Sequence, residues 1–153
     1  MIQTYRKNKI NKYGESVMFM NKQTDYALRM LRTLTDQTRH CARDLAENER
    51  VPQAITYKIL KKLSLAGWVR LERGPGGGCQ LTADLKNVSL YDLICVMEGD
   101  TNVTACMQGH YDCEWRRTHG ICKIHLNLHA VQEEINQRLR AKSLWDIIGR
   151  RST

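Results

Sequence analysis

The chain has 153 residues, a length that suits one compact unit, or one small unit with an appendage, and excludes a large catalytic scaffold. Hydrophobic residues make up 42% of it and charged residues 26%, as in a globular protein rather than a disordered or fibrous one. Lys and Arg together number 24 against 16 Asp and Glu, and the resulting net charge of +8 favours polyanionic partners such as nucleic acid.

The N-terminal segment, residues 1–19, has neither helical nor strand periodicity and carries four basic side chains against one acidic side chain. This pattern predicts a basic, disordered tail. No stretch of the chain approaches the roughly 20 consecutive apolar residues that cross a bilayer, and no apolar run follows the basic segment as in a signal peptide. We therefore expect a cytoplasmic protein without a membrane partner.

Three helices and a hairpin are predicted over residues 20–84. The first helix has a continuous apolar face, a second covers residues 38–49, and a third covers residues 52–67. Residues 68–71 and 79–81 then have the pattern of two strands around a glycine-rich turn. These elements, in this order, predict a winged helix-turn-helix DNA-binding domain. The apolar face of the first helix comprises Ala27, Met30, Leu31 and Leu34.

The third helix predicts a surface that faces DNA. With Ile55, Ile59 and Leu63 turned inward, lysines that can contact phosphates and side chains that can reach base edges lie on the opposite side. An ordinary solvated helix face would have the same pattern. Arg73 favours DNA, because a guanidinium on a thin glycine-rich turn can enter a minor groove. The predicted DNA-binding residues are Gln53, Ala54, Tyr57, Lys58, Lys61, Arg73 and Gly76.

The second half of the chain predicts two further helices around a loop. A fourth helix opens with a capping-box pattern at Ser89, and residues 100–118 lack periodicity, which is uncommon in a compact domain unless the connection has a function. A long helix then runs to about Lys142, and its length and terminal position favour packing against a second copy of the chain. We assign the loop and the dimerisation helices to residues 85–145 and a tail to residues 146–153. The apolar stripe of the long helix comprises Leu128, Val131, Ile135 and Leu139.

The six cysteines fall into two groups. A cytosolic chain that can bury a core does not need disulfides, so each group requires another explanation. Cys41, Cys79 and Cys95 lie inside predicted regular elements, where a small buried thiol is the simplest explanation.

Cys106, Cys113 and Cys122 lie in the aperiodic loop 106–122 and are separated by six and eight residues. Structural zinc sites usually take cysteines in pairs with about two to four intervening residues, whereas wider spacings suit an iron-sulfur cluster. Three thiolates leave one iron in need of a fourth ligand. His125 follows Cys122 by three residues, so both side chains can lie on one helix face toward the loop.

The other histidines, His110, His119 and His129, are more simply explained as exposed or packing side chains. Glu114 and Asp112 are the carboxylates of the loop. A small metal-dependent enzyme with three cysteines and a histidine would need an open coordination position and a nearby general base. The sequence does not argue for such a pocket, so we expect no enzymatic activity.

Three stretches of the sequence are similar to one known family. They are NKQTDYALR at residues 21–29, the stretch from Lys58 to Gly67, and RGPGGG at residues 73–78. They resemble the first helix, the recognition helix and the wing of the Rrf-two family of bacterial transcription regulators, which includes the IscR and NsrR iron-sulfur proteins. The resemblance covers about residues 20–145, and the wing stretch is its most specific part. At position 79 relatives commonly carry an aromatic or aliphatic residue, whereas this chain has Cys79.

The resemblance implies two alternative cluster sites. Proteins of the IscR type hold a 2Fe-2S cluster through three cysteines and a histidine three residues after the last, which His125 matches. Proteins of the NsrR type hold a 4Fe-4S cluster whose fourth ligand is an aspartate from the first helix of the other subunit, a position that Asp25 matches. An acid in the first turn also complements the helix dipole, which explains Asp25 equally well. The choice leans slightly toward His125 and 2Fe-2S.

The sequence therefore predicts a mostly α-helical protein with a small β-hairpin. As a function it predicts a homodimeric transcription repressor that binds a double-stranded DNA operator under control of an iron-sulfur cluster at Cys106, Cys113, Cys122 and His125. The resemblance implies nitric oxide, an oxidant or iron-sulfur status as the signal. Two alternatives remain, namely a cluster-free cysteine redox switch of the same family and a zinc-stabilised interaction module.

Overall fold

The computed structural model describes residues 20–149, in which seven α-helices, one 3-10 turn and a two-stranded antiparallel hairpin are formed. The predicted basic tail, residues 1–19, lies outside the described residues, as do residues 150–153. The helices are α1 (Lys22–Leu34), α2 (Ala42–Glu49), α3 (Gln53–Leu65), α4 (Leu90–Glu98), α5 (Glu114–His119), α6 (Lys123–Arg140) and α7 (Leu144–Ile148), the 3-10 turn is Ala105–Met107, and the strands are β1 (Val69–Glu72) and β2 (Gly78–Leu81).

Helix α1 forms where the sequence predicts it and supplies the centre of the core. The side chain of Asn21 caps it by accepting hydrogen bonds from the backbone N–H groups of Gln23 and Thr24. The four residues of its predicted apolar face are wholly buried. They pack with apolar side chains from α2, α3, α4, β2 and α7 in one hydrophobic cluster.

Helix α2 is shorter than the prediction, which began it at Thr38. Residues 36–40 instead form a loop, because His40 pairs with Cys79 of β2 through two backbone hydrogen bonds of 2.9 and 2.8 Å. The helix ends at Glu49 and is capped by Arg50, whose backbone is left-handed with φ of 52°. At this end the buried carboxylate of Glu49 accepts a hydrogen bond from the hydroxyl of Thr33.

Helix α3 and the hairpin confirm the predicted winged helix-turn-helix. Pro52 is the capping residue of α3, and the helix buries Thr56, Ile59, Leu60 and Leu63. The hairpin aligns Val69 with Leu81 and Glu72 with Gly78.

Position 78 requires a glycine because the backbone of His40 approaches it closely. A Cβ at this position would lie 2.5 Å from the carbonyl oxygen of His40. The pairing of the wing with the loop before α2 therefore depends on a residue without a side chain.

Helix α4 has the predicted capping box, in which Ser89 and Asp92 exchange side-chain and backbone hydrogen bonds. The segment 100–118, for which the sequence indicates no regular structure, contains the 3-10 turn and α5. Neither of these short elements buries a residue, so they lack the apolar periodicity that would reveal them.

Helix α6 differs from the prediction in the face that it buries. Its buried residues are the polar Gln132 and Asn136, while Val131 of the predicted apolar stripe is 47% exposed within the single chain. Residues 146–148, which the prediction assigned to a C-terminal tail, belong to α7 in the structure. This helix follows α6 after a short turn and buries Leu144 completely. No helix within residues 20–149 is both long and apolar enough to cross a membrane.

We expect Gly78→Ala to lower the free energy of unfolding by about 1 to 3 kcal/mol, because the added Cβ forces β2 away from His40. Gly109→Ala is the matched control, since a Cβ at Gly109 has open space around it, and we expect a change within about 0.5 kcal/mol. Urea denaturation measures both. Equal stability of the two variants would contradict the proposed close packing of the wing.

Candidate functional site

The outer face of α3 carries all five residues that the sequence assigns to DNA contact on this helix. Gln53, Ala54, Tyr57, Lys58 and Lys61 are exposed, and Tyr57 has 55% of its surface accessible. The buried residues of the helix lie on the opposite side. The face therefore offers two lysines for phosphates and two side chains, from Gln53 and Tyr57, for base edges.

The wing tip carries the remaining two predicted DNA contacts, Arg73 and Gly76, and both are exposed. It is supported by Arg39, a residue that sequence reasoning missed. The guanidinium of Arg39 donates a 3.0 Å hydrogen bond to the carbonyl oxygen of Gly76 and forms a 2.8 Å ion pair with Glu72. Arg39 lies in an aperiodic turn 37 residues before Gly76, so no local pattern could have connected the two.

The three loop cysteines are positioned by the ends of short elements. Cys106 lies in the 3-10 turn, Cys113 is the residue before α5, and Cys122 is the residue before α6. All three are half-buried, and their thiols are free of disulfide bonds. The sulfur of Cys122 accepts a hydrogen bond of 3.5 Å from the backbone N–H of His125, which helps to cap α6.

A cavity of about 640 Å³ lies between α5 and the start of α6. Cys113, Cys122 and His125 line it together with Arg116 and Arg117. The Nδ1 atom of His125 is buried and has no hydrogen-bond partner within residues 20–149. A buried imidazole nitrogen without a partner is costly, so this atom has an unused capacity to bind a ligand.

Cys106 is not among the residues that line this cavity. Its sulfur lies 3.8 Å from the hydroxyl of Thr104. Among the described residues, no three His, Cys, Asp or Glu side chains are close enough together to hold a metal ion. The donor set of three thiols and one imidazole suits iron-sulfur chemistry, but Cys113, Cys122 and His125 would have to come closer together and Cys106 would have to join them.

The alternative ligand Asp25 lies in the first turn of α1 and forms a 2.7 Å ion pair with Arg29 on the same helix. The ring of His119 stacks on that of Trp115 with centroids 4.8 Å apart, and the ring of His129 lies 6.3 Å from that of His125. Both His119 and His129 are exposed.

The cysteines outside the loop have different environments. Cys79 is fully buried, and burial raises the pKa of its thiol to about 11. The thiol donates a hydrogen bond of 3.2 Å to the carbonyl oxygen of His40. Cys95 is half-buried on α4, whereas Cys41, expected to be buried, is exposed at the start of α2. The expectation for Cys41 was wrong because α2 begins later than its sequence pattern indicates.

Two polar residues of α6 hold the start of the cysteine loop. The side-chain oxygen of Gln132 accepts a 2.7 Å hydrogen bond from the backbone N–H of Val103, and that of Asn136 accepts one of 2.7 Å from the hydroxyl of Thr101. Sequence reasoning missed both residues because helical patterns are judged by apolar side chains, and these two positions are polar and buried.

Comparison with known proteins identifies the family. Residues 20–150 match the Rrf2 (Rrf-two) family model, described as an iron-dependent transcriptional regulator. The chain is 33% identical to the HTH-type transcriptional repressor NsrR of Streptomyces coelicolor over 86% of this chain and 88% of that protein. It is 34% identical to the HTH-type transcriptional regulator IscR of Vibrio vulnificus over 46% of this chain and 42% of that protein.

The chain spans less than two thirds of the length of several curated relatives that it matches. Among solved structures, the oxidized form of Staphylococcus aureus CymR superposes with a TM-score of 0.63 at 18% identity, over 89% of this chain and all of that chain. That likeness supports the winged-helix fold. Because the family model covers all of the described residues, the chain belongs to the Rrf2 family of transcriptional regulators.

Proposed function

We propose that this chain is a sequence-specific DNA-binding repressor that acts as a homodimer under the control of an iron-sulfur cluster. The proposed ligands are Cys106, Cys113, Cys122 and His125. The observation that carries the proposal is that His125, whose buried Nδ1 atom has no hydrogen-bond partner within residues 20–149, lines one cavity with two of the three loop cysteines. The family's iron-dependent character and the donor set of the loop support it further.

The proposed DNA surface joins the outer face of α3 to the wing tip. Lys58 and Lys61 neutralise phosphates, Gln53 and Tyr57 reach base edges in a major groove, and Arg73 enters the adjacent minor groove. The net charge of +8 supports a polyanionic partner. The relatives' names, which describe HTH-type regulators and in one case a repressor, support the same function.

The proposed dimer contact is the apolar stripe of α6. Within the single chain Val131 of this stripe is 47% exposed and Leu128 and Ile135 are half-buried, and Ile124, one turn before Leu128, is 70% exposed. A second copy of α6 would remove this stripe from water and place two recognition helices on one DNA. Such dimers read half-sites about one helical turn apart.

The position of the cysteine loop explains how its state could control DNA binding. The cluster would supply redox and ligand-exchange chemistry at this site. The loop joins α4, which packs against α1 and α3, to α6, which carries the proposed dimer contact. A group bound by Cys106, Cys113 and Cys122 would fix the position of α4 relative to α6. Loss of that group would change the spacing of the two DNA surfaces in the proposed dimer.

The fourth ligand decides which signal suits the site. His125 lies three residues from Cys122 in the first turn of α6, and its backbone N–H donates a hydrogen bond to the Cys122 sulfur. Asp25 of a second subunit would instead supply a harder oxygen ligand and a more labile iron, which suits attack by nitric oxide. The buried Nδ1 atom favours His125 and a 2Fe-2S cluster, for which an oxidant or iron-sulfur status is the proposed signal.

A second candidate is a regulator that switches by cysteine oxidation without a cluster. All six thiols are free, and no three potential metal ligands converge within residues 20–149. A protein of similar fold, Staphylococcus aureus CymR, has been solved in an oxidized form. A zinc-stabilised module would use the same loop, but its cysteines lack the close pairs that zinc usually takes.

We expect Arg73→Ala to weaken binding to the specific operator by about 1 to 3 kcal/mol while leaving non-specific binding nearly unchanged. Lys61→Ala should weaken binding to all DNA and lower the salt slope by about one unit, because it removes one phosphate contact. Fluorescence anisotropy across a salt series measures both effects. Equal losses of specific and non-specific affinity in the two variants would refute this division of roles.

We expect anaerobically purified wild-type protein to be coloured and His125→Ala to lose its 2Fe-2S absorbance and Mössbauer spectrum, with Asp25→Ala almost unchanged. Cys106→Ser is the control that should lose the cluster under either ligand assignment. A 4Fe-4S spectrum that survives His125→Ala but not Asp25→Ala would reverse the assignment. A colourless wild type would exclude the cluster and favour the cysteine switch.

Val131→Glu should convert the dimer to a monomer in light scattering, because the new charge would lie in the middle of the proposed α6 contact. Since Val131 is half-exposed in the single chain, helix content should remain that of the wild type. Glu133→Gln, at an exposed position two residues away on the same helix, is the control and should stay dimeric. A monomeric wild type would disprove the proposed assembly.

A further inference from the structure

We call the segment Met97–Val103 the junction. It comprises the last two residues of α4 and the five residues that follow them, and it leads to the cysteine loop. Its first residue is bound to the recognition helix α3. The ammonium group of Lys62 donates a hydrogen bond to the carbonyl oxygen of Met97. The last carbonyl groups of a helix lack partners within the helix and carry partial negative charge, so a lysine from a neighbouring helix stabilises them.

The second residue of the junction is bound to α1. The carboxylate of Glu98 accepts a 3.0 Å hydrogen bond from the backbone N–H of Asn21 and a 2.6 Å hydrogen bond from the hydroxyl of Thr24. Thr24 is completely buried. The end of α4 is therefore attached to α1 and to α3, the helix whose outer face belongs to the proposed DNA surface.

The other end of the junction is bound to α6. Gln132 accepts from the N–H of Val103 and donates a 2.9 Å hydrogen bond to the carbonyl oxygen of Thr101, whose hydroxyl donates to Asn136. Gln132 is 3% exposed and Asn136 is 7% exposed. Because breaking these bonds would leave buried polar groups unpaired, the start of the loop moves together with α6.

We infer that Lys62 is a positioning residue that transmits the state of the cysteine loop to the recognition helix through the junction. The inference rests on the proposed control of DNA binding by that loop. The junction is short and is bound at both ends, so a displacement of Thr101 and Val103 is passed to the Met97 carbonyl and from there to Lys62. Lys61, the next residue, is exposed on the DNA-facing side and has the separate role of a phosphate contact.

The adjacent lysines provide a matched pair of variants, Lys62→Met and Lys61→Met, with Lys62→Arg as the conservative rescue. The first measurement is backbone amide exchange of residues 97–103 in the full-length, cluster-free protein, which requires neither DNA nor cluster. We expect exchange there to rise roughly three- to tenfold in Lys62→Met and to match the wild type in Lys61→Met and Lys62→Arg.

The second measurement is operator affinity with and without the cluster across a salt series. We expect Lys61→Met to lose affinity in both states, with a salt slope lower by about one unit and an unchanged ratio between the states. Lys62→Met should keep the wild-type salt slope while the ratio moves roughly threefold or more toward one. A double variant with Gln132→Leu should show little further change in the ratio, because both substitutions interrupt one path.

The results separate failure of the inference from failure of the proposed function. If Lys62→Met lowers the salt slope as Lys61→Met does, Lys62 contacts phosphate and the inference is wrong. Unchanged exchange of residues 97–103, or an unchanged ratio in Lys62→Met, also overturns it. If the wild-type protein binds its operator equally with and without the cluster, the proposed cluster control is wrong, and so is the transmission role of Lys62. The exchange data then report only whether Lys62 anchors the junction.

Discussion

The buried face of α1 is the constraint on which the other elements depend. Ala27, Met30, Leu31 and Leu34 have no exposed surface, and burial of each large apolar side chain contributes about 1.5 to 3 kcal/mol. Their cluster contains side chains from α3, from β2, from α4 and from α7. The elements of the proposed DNA surface and the helix that leads to the cysteine loop therefore share one core, so that α4 cannot move without a response from α1 and α3.

Helix α6 buries polar side chains and leaves apolar ones partly exposed, which is the reverse of an ordinary surface helix. Its inward positions are the amides Gln132 and Asn136, which bind backbone and hydroxyl groups of the loop, and its apolar residues remain partly exposed. Such a helix gains little hydrophobic stabilisation from its own chain. Its amide side chains specify where the loop begins, and its apolar side chains are available for another surface.

The parts of the fold that could be predicted from the sequence are those encoded by local signals. The apolar spacing of α1, the capping box at Ser89 and the glycine-rich turn at residues 74–78 each depend on neighbouring residues. Helices α5 and α7 have too few residues for a period, and the late start of α2 depends on pairing between His40 and the distant Cys79. Non-local pairing of this kind has no signature in a single sequence.

The distinction between local signals and non-local contacts applies also to the candidate cluster site. Proximity of Cys122 and His125 follows from helical spacing, and the structure brings both to one cavity with Cys113. The separation of Cys106 from that cavity could not be predicted, because the aperiodic sequence of the loop does not fix the position of the 3-10 turn that carries it. Cys79 illustrates another non-local effect: with its pKa raised to about 11 by burial, it is a neutral hydrogen-bond donor at physiological pH. Alkylating agents and peroxides react with thiolates, so burial makes Cys79 of the wing less reactive toward them than the partly exposed cysteines of the loop.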